Sequence, residues 1–230
     1  MNTNVWQAFI SLIFPNTCIP CAQPLAPSEQ FICLHCLLSL PRVDRIESGE
    51  SDLLNKFVLY PQVTLARSYL VFRPNSAVQQ LVHAFKYKGN QELAGYLGGL
   101  IASENVSFFK QQKWDAIVPL PLHKTKKRQR GYNQSELLAN GIGEVLDIPV
   151  WTDQVIRHKK TTTQTGKSRS ERWESMRNIY AIASNFNCVD KRLLLVDDVI
   201  TTGATMSGLI ELLVGAGVKE IGVICLASEG

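Results

Sequence analysis

The chain reads as an α/β domain with a parallel sheet covered on both faces, preceded by a small four-cysteine zinc module. Three observations carry this expectation. From Val63 onward, apolar strand-like runs alternate with helical periods, the pattern of parallel strands joined by crossover helices. Two CxxC pairs stand ahead of that alternation. One apolar run, Leu193-Leu-Leu-Val196, stops on adjacent acids, Asp197 and Asp198, with the small polar stretch Thr201-Thr-Gly-Ala-Thr205 close behind. At 230 residues and 45% hydrophobic, the chain can bury one ordinary core and carry a small accessory module.

The first apolar stretch, Val5 to Phe14, is interrupted by Gln7 and Ser11 and is too short to span a bilayer. It lacks the basic region and small-residue cleavage site of a secretory signal, so it reads as a short helix in a soluble, cytoplasmic protein. Cys18-Ile-Pro-Cys21 and Cys33-Leu-His-Cys36 follow. Each CxxC places two thiolates on one side of a tight turn, and two such turns make a tetrahedral set of soft ligands suited to zinc. A pair of disulfides is the alternative, disfavoured in a cytoplasmic chain. Four thiolates leave no open coordination position, so this zinc holds structure and does not activate water. His35 reads as a spectator. Asn16 to Leu40 has no Lys or Arg, which argues for a folding staple or docking surface over a nucleic-acid grip. The module is assigned to residues 1–45 and a charged linker to 46–62.

The larger domain, 63–230, opens with a strand over Val63 to Phe72 and a helix from Pro74-Asn75-Ser76 towards Phe85. A basic turn, Lys86-Tyr-Lys-Gly89, precedes a helix over Glu92 to Ala102, whose Gly95, Gly98 and Gly99 suit close packing against a sheet. Asp115 to Leu120 is a short buried strand, Ser135 to Leu146 a helix, and a strand is expected near Val150. Val155 to Tyr180 has little hydrophobic period and predicts a long mobile excursion. Leu193 to Val196, Thr205 to Val214 and Glu220 to Leu226 then read as strand, helix and strand. Cys225 falls in an apolar strand and reads as core; Cys188 has no evident partner.

Net charge is only +4, but half of the 24 Lys and Arg lie in two segments, Lys124 to Arg130 and Arg157 to Arg177, with only Glu171 and Glu174 against them. The remainder is acidic. Such segregation points to a localised polyanion site. Asp197 and Asp198 sit at the carboxyl end of a strand, where open parallel sheets bind ligands. Behind them, Thr201, Thr202, Gly203, Ala204 and Thr205 lead into a helix whose first N–H groups lack internal partners, a cradle for a phosphate monoester. The acids repel that phosphate and suit instead the vicinal hydroxyls of a sugar. Together these describe ribose 5-phosphate.

VDDVITTGAT resembles the phosphoribosyl pyrophosphate motif of type I phosphoribosyltransferases. With the CxxC pairs, Phe85-Lys-Tyr-Lys-Gly89, Val118-Pro-Leu-Pro121, Arg130-Gly-Tyr-Asn-Gln-Ser-Glu136, and Gln164-Thr-Gly followed by Arg169, Arg172 and Asn178, the chain resembles the ComF/GntX family along nearly its whole length. The resemblance implies a type I phosphoribosyltransferase fold behind a zinc ribbon, and a role in DNA uptake and transformation or in gluconate utilisation. It implies binding of phosphoribosyl pyrophosphate with Mg²⁺ and a pyrophosphate loop at Lys126, Arg128, Arg130 and Gly131, with Lys86 and Lys88 as further candidates for the cleft. The Val155 to Tyr180 excursion resembles a catalytic loop that closes over the reacting centre, and Gln164, Lys167, Arg169 and Arg172 are its candidate working residues. Asp197, Asp198, Arg130, Lys167 and Arg169 are thus the candidate catalytic set. Any hood that reads an acceptor is expected from the N-terminal part. Single-stranded DNA and competence proteins such as a DNA-uptake helicase are the candidate partners. The competing expectation is a non-catalytic DNA- and protein-binding factor; Tyr132 and Trp173 are the only aromatic side chains in or bordering the basic clusters, thin provision for base stacking.

Overall fold

The computed structural model describes residues 16–43, 52–158, 179–184 and 186–229. A four-stranded sheet runs in the order β1 (Val63–Phe72), β6 (Glu220–Glu229), β5 (Arg192–Ile200), β2 (Ala116–Pro119), and every pairing is parallel. A separate antiparallel pair joins β3 (Val155–Arg157) to β4 (Tyr180–Ile182). The purity of Leu193 to Val196 follows from its place: Leu194 and Val196 face one core, Leu193 and Leu195 the other. A strand covered on both faces has no polar side.

The first core holds α3 (Ala77–Tyr87), α4 (Gln91–Glu104) and α7 (Gln134–Leu146), through residues such as Leu81, Phe85, Leu97, Leu138 and Ile142. Ser76 and Asn90 cap α3 and α4, accepting from Gln79 N and Leu93 N at 3.2 Å each. The glycines of α4 pack differently from expectation. A Cβ on Gly98 would stand 2.2 Å from the Leu138 carbonyl oxygen, and one on Gly141 2.0 Å from that of Gly95. They let α4 and α7 meet backbone to backbone, so the close approach is between two helices and not between helix and sheet.

The second core lies under α8 (Ala204–Gly215), with Met206, Leu209, Ile210 and Leu213 facing the sheet. It also takes in Leu53 and Phe57, from and just beyond the short helix α2 (Asp52–Asn55). The described part of the stretch read as linker is therefore packed: Phe57 is 1% exposed. The short helices α1 (Leu34–Leu38) and α5 (Val106–Gln111) complete the peripheral elements, and α6 (Lys124–Arg130) lies between β2 and α7.

Both edges of the sheet are covered. Val43 N donates to Tyr69 O at 3.1 Å and Val71 N to Pro41 O at 2.8 Å, so the segment after the cysteines closes the β1 edge. Ile117 N donates to Pro149 O at 2.9 Å and Trp151 N to Ile117 O at 2.8 Å, which places the strand expected near Val150 as a single parallel bridge on β2. Such covering removes the free hydrogen-bonding edge that invites aggregation. The cysteine module is fastened further: Cys18, Ile32 and Leu40 belong to the first core, and Arg42 grips Glu104 through two 2.7 Å bonds.

The strand expected to end on the acids runs through them to Ile200, in register with β6 as Asp197 opposite Cys225 and Ile200 opposite Ser228. Val196 and Val199 both pack towards the first core and Ile200 towards the second, so strict alternation slips across Asp197 and Asp198. Cys225 is buried in β6, and Cys188 is buried with its thiol directed at Ala216 O, 3.7 Å away.

Candidate functional site

After β2 the chain feeds α7 on the first core; after β5 it feeds α8 on the second. Chain segments diverging to opposite faces leave a crevice at the carboxyl ends of adjacent strands, where open α/β sheets bind ligands. Asp197 and Asp198 stand in that crevice.

Asp198 is 4% exposed. Its Oδ1 accepts from Val199 N at 2.6 Å and faces Lys86 Nζ at 2.9 Å, while its Oδ2 is buried with no hydrogen-bond partner. Lys86 comes from the last turn of α3 and settles a point the sequence left open: it belongs to this cleft, whereas Lys88 is exposed beyond the helix end. A buried carboxylate with one oxygen satisfied and the other bare is built to receive a donor such as a hydroxyl. Asp197 Oδ1 accepts from Ser135 Oγ at 2.9 Å and from Asp198 N at 2.8 Å. Burial first, and the adjacent Asp198 charge second, push the Asp197 carboxyl above the ordinary carboxylate range.

The loop behind the acids turns on Gly203, whose φ of 77° lies in the left-handed region. A side chain there would be strained, and its Cβ would also meet the Phe57 ring at 3.3 Å. This turn delivers the chain into α8 with the N–H groups of its first turn free of helical partners. Thr201 and Thr202 are exposed, Thr202 Oγ1 accepts from Ala204 N at 3.4 Å, and Thr205 is half-buried. Asp197 and residues 199–206 line an open concavity of about 260 Å³. Its floor of small residues, hydroxyls and unpaired amides suits a phosphate.

The first basic cluster is a short helix, α6, capped by His123 Nδ1 on Thr125 N at 3.2 Å and ended by Gly131 at φ 87°. Lys127, Arg128 and Arg130 lie in its last turn, where cations complement the carbonyl end. Arg130 donates to Gln134 Oε1 and stands over the Tyr87 ring, 5.2 Å from its centroid, at the end of α3. Lys124, Lys126 and Arg128 are exposed on α6, and Lys127 pairs with Glu136 at 3.4 Å. Lys167 and Arg169, with Gln164 and Arg172, lie outside the described residues.

Four residues fasten this site, three of them given no individual role by sequence reasoning and the fourth, Tyr132, weighed only for base stacking. Tyr132 donates its hydroxyl to Phe85 O at the end of α3, and Asn133 donates Nδ2 to Leu120 O just beyond β2, at 3.1 Å. Gln134 holds Arg130, and Ser135 holds Asp197. Asn133, Gln134 and Ser135 are all buried. The signal was available: four polar side chains at the start of an amphipathic helix, inside the quoted Arg130 to Glu136 motif.

At the cysteine module the four Sγ atoms of Cys18, Cys21, Cys33 and Cys36 lie within 4.8 Å of one another, with Cys21 Sγ and Cys33 Sγ 3.8 Å apart. Tetrahedral zinc with bonds of about 2.3 Å sets sulfurs roughly 3.8 Å apart, so the set fits that metal. Cys33 N donates to Cys18 Sγ at 3.3 Å, a bond that favours a thiolate there. Burial and the crowding of neighbouring thiols push the Cys36 thiol up, a penalty that a bound cation relieves. All six cysteines are unbridged, and His35 is exposed.

Residues 132–230 match the phosphoribosyl transferase domain family. The chain is 42% identical over 114 residues to competence protein F of Haemophilus influenzae, covering 49% of this chain and 50% of that one. It is 27% identical over 225 residues to the DNA utilization protein YhgH of Escherichia coli, covering 94% and 98%. Competence protein ComFC of Streptococcus pneumoniae is 29% identical over 152 residues, covering 66% and 63%. The ComF resemblance is supported. This ComF-like chain has the type I phosphoribosyltransferase fold, a parallel sheet flanked by helices, with four clustered cysteines ahead of it. Solved structures similar to it include the purine phosphoribosyltransferase of Pyrococcus horikoshii, with TM-score 0.39, 22% identity and coverage of 59% and 73%. An allosteric regulatory enzyme of purine biosynthesis has TM-score 0.41 and 22% identity, covering 58% of this chain and 25% of that one.

Proposed function

We propose that this ComF-like chain binds phosphoribosyl pyrophosphate with Mg²⁺ in the crevice at the end of β5 and acts in DNA uptake. The observation that carries the reading is the juxtaposition at one strand end of a bare buried carboxylate oxygen, Asp198 Oδ2, and a left-handed turn into a helix N-terminus at Gly203. The 5-phosphate sits against Thr201, Thr202, Gly203, Ala204 and Thr205, and the ribose hydroxyls donate to Asp197 and Asp198. Arg130 and Gly131, with Lys126 and Arg128, form the pyrophosphate side. Asp197 and Asp198 are the residues of this chain that would stand beside Mg²⁺, which would supply charge neutralisation for the pyrophosphate.

Glycosyl transfer to an acceptor follows as the reaction of this site, with the chain's groups positioning the sugar and stabilising the departing pyrophosphate. Lys167 and Arg169 are its proposed further participants. Zinc at Cys18, Cys21, Cys33 and Cys36 holds the N-terminal module on the sheet edge, and no step of the reaction runs through it. The setting is cytoplasmic; among the described residues, no helix is long and apolar enough to cross a membrane. The DNA-uptake role rests on relatives named for competence and DNA utilization. Single-stranded DNA is the polyanion proposed for the basic segments.

Calorimetric titration of phosphoribosyl pyrophosphate with and without Mg²⁺, into wild type and the Asp197→Asn/Asp198→Asn variant, tests the reading. Binding that needs Mg²⁺ and weakens at least about tenfold in the variant supports it, since hydrogen bonds to charged groups contribute about 1.5–3 kcal/mol each. Equal binding by the two proteins rejects the site. A parallel titration with single-stranded DNA separates the roles: DNA binding without any sugar-phosphate binding favours the non-catalytic alternative.

A further inference from the structure

A second concavity opens on the first-core side of β1, between that strand and the corner of α4 and α5. Arg67, Tyr69, Arg42 and Glu104 supply its polar groups, and Phe108 and Ile224 are among its apolar ones. Arg67 lies in the middle of β1, opposite Ile224 of β6, and β6 separates it from the acids of β5. It therefore has no part in the crevice described above.

Among the described residues, the charge of Arg67 has no counterpart. Its Nη1 is buried with no hydrogen-bond partner, and none of the salt bridges among the described residues involves it. Its guanidinium lies against Phe108, 3.9 Å from the ring centroid, and burial pushes it down to about 10. The other cation lining the concavity, Arg42, is bound bidentately by Glu104 at 2.7 Å and contributes no net charge. Tyr69, 8% exposed, has its hydroxyl buried in the same wall, beside the Glu104 carboxylate. Burial, with the nearby Glu104 carboxylate, raises its phenol and keeps it a donor. A half-buried guanidinium with an unpaired Nη1, beside a buried hydroxyl, is costly to leave without an acceptor, and proteins ordinarily pair such groups. Their convergence on one cavity points to a ligand that supplies the acceptors.

We propose that this concavity binds a small organic carboxylate, its carboxyl taken by Arg67 and Tyr69 and its apolar body lying along Phe108, Phe109, Ile101 and Ile224. The planar guanidinium fork matches a carboxylate in two parallel bonds. One uncompensated positive charge balances a monoanion, and the Glu104 carboxylate in the same wall disfavours a dianion. The aromatic and aliphatic lining selects a ligand with apolar surface over a free inorganic anion.

Thermal shift and calorimetry on the full chain test this with benzoate and phenylacetate as probes and inorganic phosphate at matched ionic strength as the contrast. The expected result is stabilisation by the aromatic carboxylates, weakened at least about tenfold in Arg67→Met and in Tyr69→Phe. Binding of phosphoribosyl pyrophosphate is unchanged in both variants, so failure here and failure of the sugar-phosphate reading are told apart. Arg67→Lys keeps the charge but loses the fork, and is expected to bind more weakly than wild type; it serves also if Arg67→Met does not fold. No stabilisation by either probe, or phosphate binding as tightly as benzoate, overturns the proposal.

Discussion

Two charges, the buried Asp198 at the end of β5 and the half-buried Arg67 in the middle of β1, are treated in opposite ways by this fold. Asp198 is given Lys86 from α3, a backbone N–H, and an adjacent acid that is itself held by Ser135. Arg67 is given an aromatic face and, among the described residues, no anion. The first is a pre-organised site whose remaining free atom, Asp198 Oδ2, marks where a ligand donor belongs. The second is a charge with no partner among the described residues. A buried charge is informative through what is missing around it: at β5 one donor, at β1 an entire counter-ion.

The largest effect expected is from breaking the pair at β5. Lys86→Met leaves Asp198 buried without its cation and is expected to lower stability by about 3–5 kcal/mol, read by chemical denaturation. Asp198→Asn combined with Lys86→Met should recover much of that loss, because it removes the orphaned charge. A smaller cost is expected at the turn beside the pair. Gly203→Ala places a Cβ at φ 77° and against Phe57, and should cost about 1–2 kcal/mol while weakening sugar-phosphate binding.

Asp197 sharpens the comparison through pH. Its carboxyl titrates above the ordinary carboxylate range in the fold, so its contribution is favourable when protonated in both states and is lost as pH rises through the raised value. Asp197→Asn should therefore raise the melting temperature at about pH 8 and leave it nearly unchanged at about pH 3. The smallest effect, and of opposite sign to that at Lys86, is expected from Arg67→Met. Removing an unpaired charge while keeping the apolar stem should raise the melting temperature slightly without ligand; a large drop would show that Arg67 already has a partner.

The sheet was legible because Leu193 to Val196, buried on both faces, is written in unbroken apolar residues, and Val63 to Phe72 is apolar at seven of its ten positions. The phosphate turn was legible because Gly203 among small hydroxyl residues is a local feature. Lys86, Ser135 and Asn133 were harder to read, since their roles depend on helix ends brought to a strand terminus by tertiary packing. Phe57 sat in a charged stretch read as linker, and only its burial behind Gly203 shows its purpose. The glycines of α4 were seen but assigned to the wrong partner, because a small-residue face does not say whether helix or sheet lies against it. Arg67 gave no sequence signal at all: one arginine in a strand is conspicuous only once its surroundings are known.

The most direct test of the central claim is amide NMR of the uniformly labelled chain as phosphoribosyl pyrophosphate and Mg²⁺ are added. The expected result is that the N–H signals of Gly203, Ala204, Thr205 and Met206 shift first and furthest, with Val199 following through Asp198. Saturable binding that leaves those amides in place and moves only signals from α6 or the cysteine module would contradict it.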